Sequence, residues 1–183
     1  MTAVTDTTGA DGWAHFHLQS QPWWIYARSW EATDPNAEWY WNVKVSGDTV
    51  LLDGHTGSPR RMKDHQVIIG TRHDTTCARE LASTVAAIFT RHGFEVHDNV
   101  SGYAGGNIVT TYGQPGTRRV HALQLEVNAS LLMTTGRDEF IAQVSRGEIP
   151  EKSEANIARV RACLREVLTA LPAVLATVCE SSA

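Results

Sequence analysis

The chain has 183 residues, of which 42% are hydrophobic and 20% charged, and a net charge of -4. That length and balance predict one globular domain with a sizeable core, and the negative sum argues against a protein held on nucleic-acid phosphates. The cysteines, Cys77, Cys163 and Cys179, are widely spaced, which reads as free thiols in a reducing, cytoplasmic setting rather than a disulfide framework.

Residues 1–12, MTAVTDTTGADG, are polar and read as a disordered leader without the apolar stretch of a secretory signal. Residues 13–183 then read as a single domain. No apolar run is expected to reach bilayer-spanning length, so no membrane partner is expected. All six tryptophans, Trp13, Trp23, Trp24, Trp30, Trp39 and Trp41, fall together near the start. Such a cluster either packs in a core or forms a surface for a ligand or a second copy of the chain.

Residues 49–52 and 66–69 are short β-prone apolar runs, each leading into a polar segment, DGHTGSP and GTRHDTT. Residues 74–76 offer helix N-caps. Cys77, Leu81, Val85, Ile88 and Phe89 recur at helical spacing, and Gly93 is a natural C-cap. Residues 94–96 restart a strand. Strand, helix, strand in that order predicts an α/β fold with a mixed, partly parallel sheet flanked by helices.

Residues 101–133 form the centre of the chain: a turn at Gly105 and Gly106, a strand, a second Gly/Pro turn, and a strand over 120–128. A polar connection with Gly136 and Pro150 follows. Ser153 can cap a last helix whose apolar face is Ile157, Val160, Leu164, Val167, Leu168 and Leu171, with Pro172 as a kink or stop.

The strand over 120–128 carries one carboxylate, Glu126, in an apolar run. A carboxylate is unfavourable to bury unless paired, protonated or beside a cation, so Glu126 is either a reactive group or a residue on the solvent side of an edge strand. In open α/β sheets ligands sit at the carboxyl ends of strands. Asp53-Gly54-His55 and Arg72-His73-Asp74 both follow strands, and Glu126 can share their rim. A His, a Glu and an Asp that orients the His form part of a zinc hydrolase site. Asp53, two residues before His55, shares its face on a strand or else caps a loop. His121, five before Glu126, faces the other way.

VLLDGHTGSP, VIIGTRHDTTC, GYAGGNIVTTYGQP and HALQLEVNASLLM, in that order, resemble stretches of the N-formylglutamate amidohydrolase (deformylase) family, which is similar in fold to zinc carboxypeptidases. The resemblance covers about residues 49–133, and the last helix loosely. It implies a zinc-dependent amidohydrolase acting on the amide of a small N-formyl or N-acyl amino acid. His55 matches a zinc ligand, Glu126 the general base on the metal-bound water, and Gly105-Gly106 a turn that shapes the pocket. Asp53 would orient His55 and His73 would face the substrate, while Arg72, Arg118 or Arg119 would take a substrate carboxylate or else be solvated surface charges.

Three departures accompany the resemblance. The family's upstream His-Ser-Gly ligand motif is missing, and His15 and His17 are the nearby replacements; an H-x-H pair on a strand presents two imidazoles to one side, or else these are exposed histidines beside the Trp cluster. The family's Arg and Tyr after the Glu are here Ala129 and Leu132. The alternative function is therefore a degenerate, non-catalytic binding or interaction protein, with the Trp-rich segment as a partner or homodimer surface.

Overall fold

The computed structural model describes residues 48–181. The polar leader, the Trp-rich segment, His15 and His17 lie outside the described residues.

The described chain runs β1 (Thr49–Gly57), α1 (Pro59–Met62), β2 (Val67–Gly70), α2 (Arg79–Arg91), β3 (Val96–Asp98), α3 (Asn107–Tyr112), α4 (Pro115–Arg118), β4 (Val120–Asn128), a 3-10 turn (Ala129–Leu132), α5 (Arg137–Ser145) and α6 (Glu154–Glu180). The sheet order is β1-β4-β2-β3. β1 and β4 are parallel, as are β2 and β3, whereas β2 runs antiparallel to β4. This is a mixed, partly parallel α/β sheet flanked by helices, as the order of apolar runs predicts.

Strand alternation sorts β4 into two faces. Leu123, Leu125 and Val127, with Val67 and Ile69 of β2, belong to one buried cluster with Leu81, Val85, Ile88 and Phe89 of α2 and Val160, Cys163, Val167 and Leu171 of α6. Each large side chain removed from water there contributes about 1.5–3 kcal/mol. Gly93 takes φ 82° just after α2, the left-handed stop expected of it. Ser153 Oγ accepts the Asn156 N–H at 3.3 Å and caps α6. The other parity of β4 presents Gln124, Glu126 and Asn128, and this polar face becomes the site.

His121 lies on the core side of β4, as its spacing from Glu126 predicts. It is 5% exposed, and its Nδ1 accepts the Ala78 N–H at 3.1 Å just ahead of α2. Burial pushes its pKa down, so it is a neutral, structural histidine. Cys77, Cys163 and Cys179 are free thiols, and burial pushes the Cys77 thiol up to about 12, the reverse of an activated thiolate.

Five local expectations are corrected. β1 continues to Gly57, so Asp53 and His55 stand in the strand itself. The stretch after Gly106 is helix α3 rather than a strand: Val109 alone is buried in it, and Thr110 Oγ1 bonds back to the Gly106 carbonyl at 2.9 Å, so one packed contact overrides β-branched propensity. Residues 74–76 do not cap α2, because Asp74 is taken by Thr71 and Arg79. The connection after Met133 holds α5, which buries no residue and therefore has no apolar stripe to read. Finally, α6 is long and apolar enough to cross a membrane by length and composition, because its charges gather in its first half. Val160, Cys163, Val167 and Leu171 along it are buried in the core.

Candidate functional site

In the β1–β4 register Asp53 sits opposite Gln124 and His55 opposite Glu126. Ile68 and Gly70 of β2 flank the same two β4 positions from the other side. Register partners share a face, so Asp53, His55, Gln124 and Glu126 form one polar block on the face turned away from α2. Within it Asp53 Oδ1 lies 2.8 Å from His55 Nε2. With Nε2 donating to the carboxylate, the neutral ring keeps its lone pair on Nδ1. The Asp53 side chain is 8% exposed and that of His55 48%, so the imidazole reaches outward from a buried anchor.

Glu126 stands on β4, between β1 and β2, and is 5% exposed. The reading of a solvent-facing edge residue is thereby corrected. Gln124 Nε2 donates to Glu126 Oε1 at 2.6 Å. Burial raises the Glu126 pKa; the Gln124 hydrogen bond and His55 pull it down, and the Asp53 charge adds to the rise. A carboxyl group moved toward neutrality in this way can both take and return a proton. Tyr103 is close enough for the Glu126 charge to raise its phenol further, after burial, with Arg61 opposing.

The Gly-rich turn is pressed onto the sheet at Gly70. A Cβ at Gly70 would meet Gly105 N and Tyr103 O, each at 2.6 Å. Gly106 borders Gln124 Oε1, which lies 3.8 Å from where its Cβ would be. Gly105 has φ +128°, and a Cβ there would sit 3.0 Å from Arg72 Cγ. The Arg72 N–H donates to Ala104 O at 2.6 Å, so backbone and side chain both hold Arg72 against the turn.

The expected shared rim is not formed. Because β2 runs opposite to β1 and β4, its carboxyl end leads toward the amino-terminal half of β4, and the Arg72–Asp74 cluster flanks the block from the far end. Arg72, His73 and Asp74 are consecutive left-handed residues, with φ of 50°, 56° and 64°. Asn99 Oδ1 holds this turn by accepting from Thr71 N–H at 2.9 Å and His73 N–H at 3.1 Å. His73 is exposed, and nothing brings it to Glu126. Sequence reasoning missed Gln124, Tyr103 and Asn99. Only Gln124 carried a signal: two residues before Glu126 on a strand, it must share its face.

The family model described as N-formylglutamate amidohydrolase matches residues 42–133, half of the chain. The chain belongs to the N-formylglutamate amidohydrolase family. The crystal structure of N-formylglutamate amidohydrolase from Ralstonia eutropha JMP134 is similar in fold, with a TM-score of 0.50 and 23% identity, over 67% of this chain and 42% of that one. The present chain thus spans less than half the length of that protein. No curated protein matches it.

Zinc, which the resemblance to N-formylglutamate amidohydrolases implies, needs about three protein ligands and an open position. Among the described residues no group of three or more His, Cys, Asp or Glu is placed to hold a metal ion. The described block offers one imidazole, His55, with one ring nitrogen committed to Asp53. These residues do not by themselves fit a zinc ion.

Proposed function

We propose that the protein hydrolyses the amide bond of a small N-formyl or N-acyl amino acid, with Glu126 as the proton-transferring group. Membership of the amidohydrolase family supports the reaction class. The observation that carries the reading is the buried Glu126 carboxyl, raised in pKa and held by Gln124. Glu126 accepts a proton from water as the water oxygen bonds to the acyl carbon. It then returns that proton to the nitrogen as the C–N bond breaks, releasing a carboxylate and a free amino acid. Arg72, which has no acidic partner among the described residues and lies along Gly105, is suited to a substrate carboxylate, the more so because Ala129 stands where the family carries an arginine.

Zinc dependence is a separate part of this proposal. It requires ligands from beyond the described block. The reading is tested by formate release from N-formyl-L-glutamate and other N-formyl amino acids, using the full chain and Glu126→Gln. Release that disappears in the variant supports it; equal release by both proteins overturns it. The single imidazole of the described block, with Ala129 and Leu132, favours a second reading: a binding protein that retains the polar block without the reaction. That reading is met by calorimetric binding of N-formyl-L-glutamate with no formate released.

A further inference from the structure

Gln124 is 8% exposed and sits one register step from Glu126 on the same face. Its amide nitrogen is committed: Nε2 donates to Glu126 Oε1 at 2.6 Å. Its oxygen is not. Among the described residues Gln124 Oε1 is the buried side-chain polar atom that has no hydrogen-bond partner. Reversing the amide would bring two oxygens together beside an ionised Glu126, so the carboxylate fixes which end stays free. Protein interiors rarely leave an acceptor bare, because its lost contact with water goes uncompensated. Here the bare oxygen lies 3.8 Å from where a Cβ on Gly106 would stand.

We propose that Gln124 Oε1 is the acceptor for the N–H of the bond to be cleaved, so that the site takes secondary amides and rejects N-alkylated, tertiary ones. This rests on the amide-hydrolysis reading above for its ligand class. A nitrogen placed to receive the Glu126 proton is necessarily near the neighbouring side chain on that strand face. A secondary amide brings one N–H there, and the released amine or ammonium still brings one. One side chain then does two things: its nitrogen orients the carboxylate, and its oxygen reads the substrate nitrogen. An amide lacking the N–H leaves the oxygen as bare as before, which is how buried polar groups discriminate against analogues that lack a partner.

The experiment compares N-formyl-L-glutamate with N-formyl-N-methyl-L-glutamate, by calorimetry on the full chain, in wild type and in Gln124→Met. The wild type is expected to prefer the N–H compound by about 10- to 100-fold. Gln124→Met, which keeps the volume and loses the acceptor, is expected to bind the two within about twofold, because no partner is left to distinguish them. Equal binding by the wild type, no binding of the N–H compound, or an undiminished preference in Gln124→Met overturns the assignment. A purely structural glutamine would weaken both compounds together and leave their ratio intact. Should Gln124→Met not fold, the wild-type Gln124 side-chain carbonyl carbon resonance decides. It is expected to move with the N–H compound and not with the N-methyl one, and a resonance that stays in place overturns the proposal. Formate release is scored separately: discrimination in binding without hydrolysis would sink the catalytic reading and leave Gln124 Oε1 as the acceptor for the N–H of a bound amide.

Discussion

His55 and Glu126 are register partners on the adjacent parallel strands β1 and β4, and so project to the same face of the sheet, away from the core shared with α2 and α6. Each is held by the residue two positions before it on its own strand, His55 by Asp53 at 2.8 Å and Glu126 by Gln124 at 2.6 Å. Two residues is one full strand period, so the support for each of these side chains comes from the strand itself. Such support is stiffer than a loop provides.

The buried carboxyl gives the first prediction. Glu126 has its pKa raised above 4.5, chiefly by burial. Its contribution to stability is therefore fully present below pH 4.5 and is lost as pH rises through the folded-state value. At pH 7 the wild type carries a buried charge that Glu126→Gln does not. The variant is expected to melt higher at pH 7, by about 2–4 °C for each kcal/mol relieved, with the gap closing toward pH 4.5. Its formate release is expected to fall about 10²–10⁴-fold. Calorimetric melting at several pH values reads the first part, and a variant that melts lower at pH 7 refutes it.

Much of this arrangement was legible in advance, and the rest was not for identifiable reasons. The apolar parity of β4 and the helical spacing in α2 follow from burial, which leaves a periodic trace. The face shared by Asp53 and His55 follows once β1 is known to run through them. The direction of β2 had no such trace: VIIG reads the same parallel or antiparallel, and that one reversal moved Arg72 and His73 away from the expected rim. Helix α3 was hidden because its residues are β-branched, and α5 because it buries nothing, although Asp138 and Glu139 in its first turn are the charges a helix N-terminus favours.

The proposed zinc dependence, which needs ligands from beyond the described block, makes His55 one of the ligands. On that proposal zinc in the purified protein is expected to be lost in His55→Ala. Asp53→Asn is expected to weaken zinc binding about 10- to 100-fold, because the His55 ring loses the carboxylate that fixes its tautomer and direction. Metal analysis and equilibrium dialysis measure both. Zinc content unchanged in His55→Ala would remove His55 from the ligand set.

His121 makes a pH-dependent prediction of the opposite sign to that of Glu126. Burial lowers its pKa below 6.5, and its Nδ1 must stay unprotonated to accept the Ala78 N–H. That contribution is fully present above pH 6.5 and is lost as pH falls through the lowered folded value. His121→Ala leaves the Ala78 N–H without its acceptor, and is expected to lose about 2 kcal/mol at pH 7.5. In urea unfolding the difference between wild type and variant is expected to shrink as pH falls below 6.5. A difference that grows in acid would show that His121 is protonated in the fold.

Gly70 tests how the site is assembled. It is the β2 residue opposite Gln124, and its bare Cα lets Tyr103, Ala104 and Gly105 lie on the strand, with backbone atoms 2.6–2.7 Å from where a Cβ would stand. Backbone on both sides cannot yield as the end of a flexible side chain would. Gly70→Ala is therefore expected to lift the Tyr103–Gly106 turn from the sheet at about 1–3 kcal/mol. Formate release should fall at least about tenfold, since displacements near 1 Å are enough for such losses. Gly116→Ala in α4, where nothing lies within 4 Å of the new Cβ, is the control and should leave both quantities within about 1 kcal/mol of the wild type. If Gly70→Ala melts with the wild type and keeps full activity, the turn is not held in place by this contact, and Gly106 would have to be positioned by α3 instead.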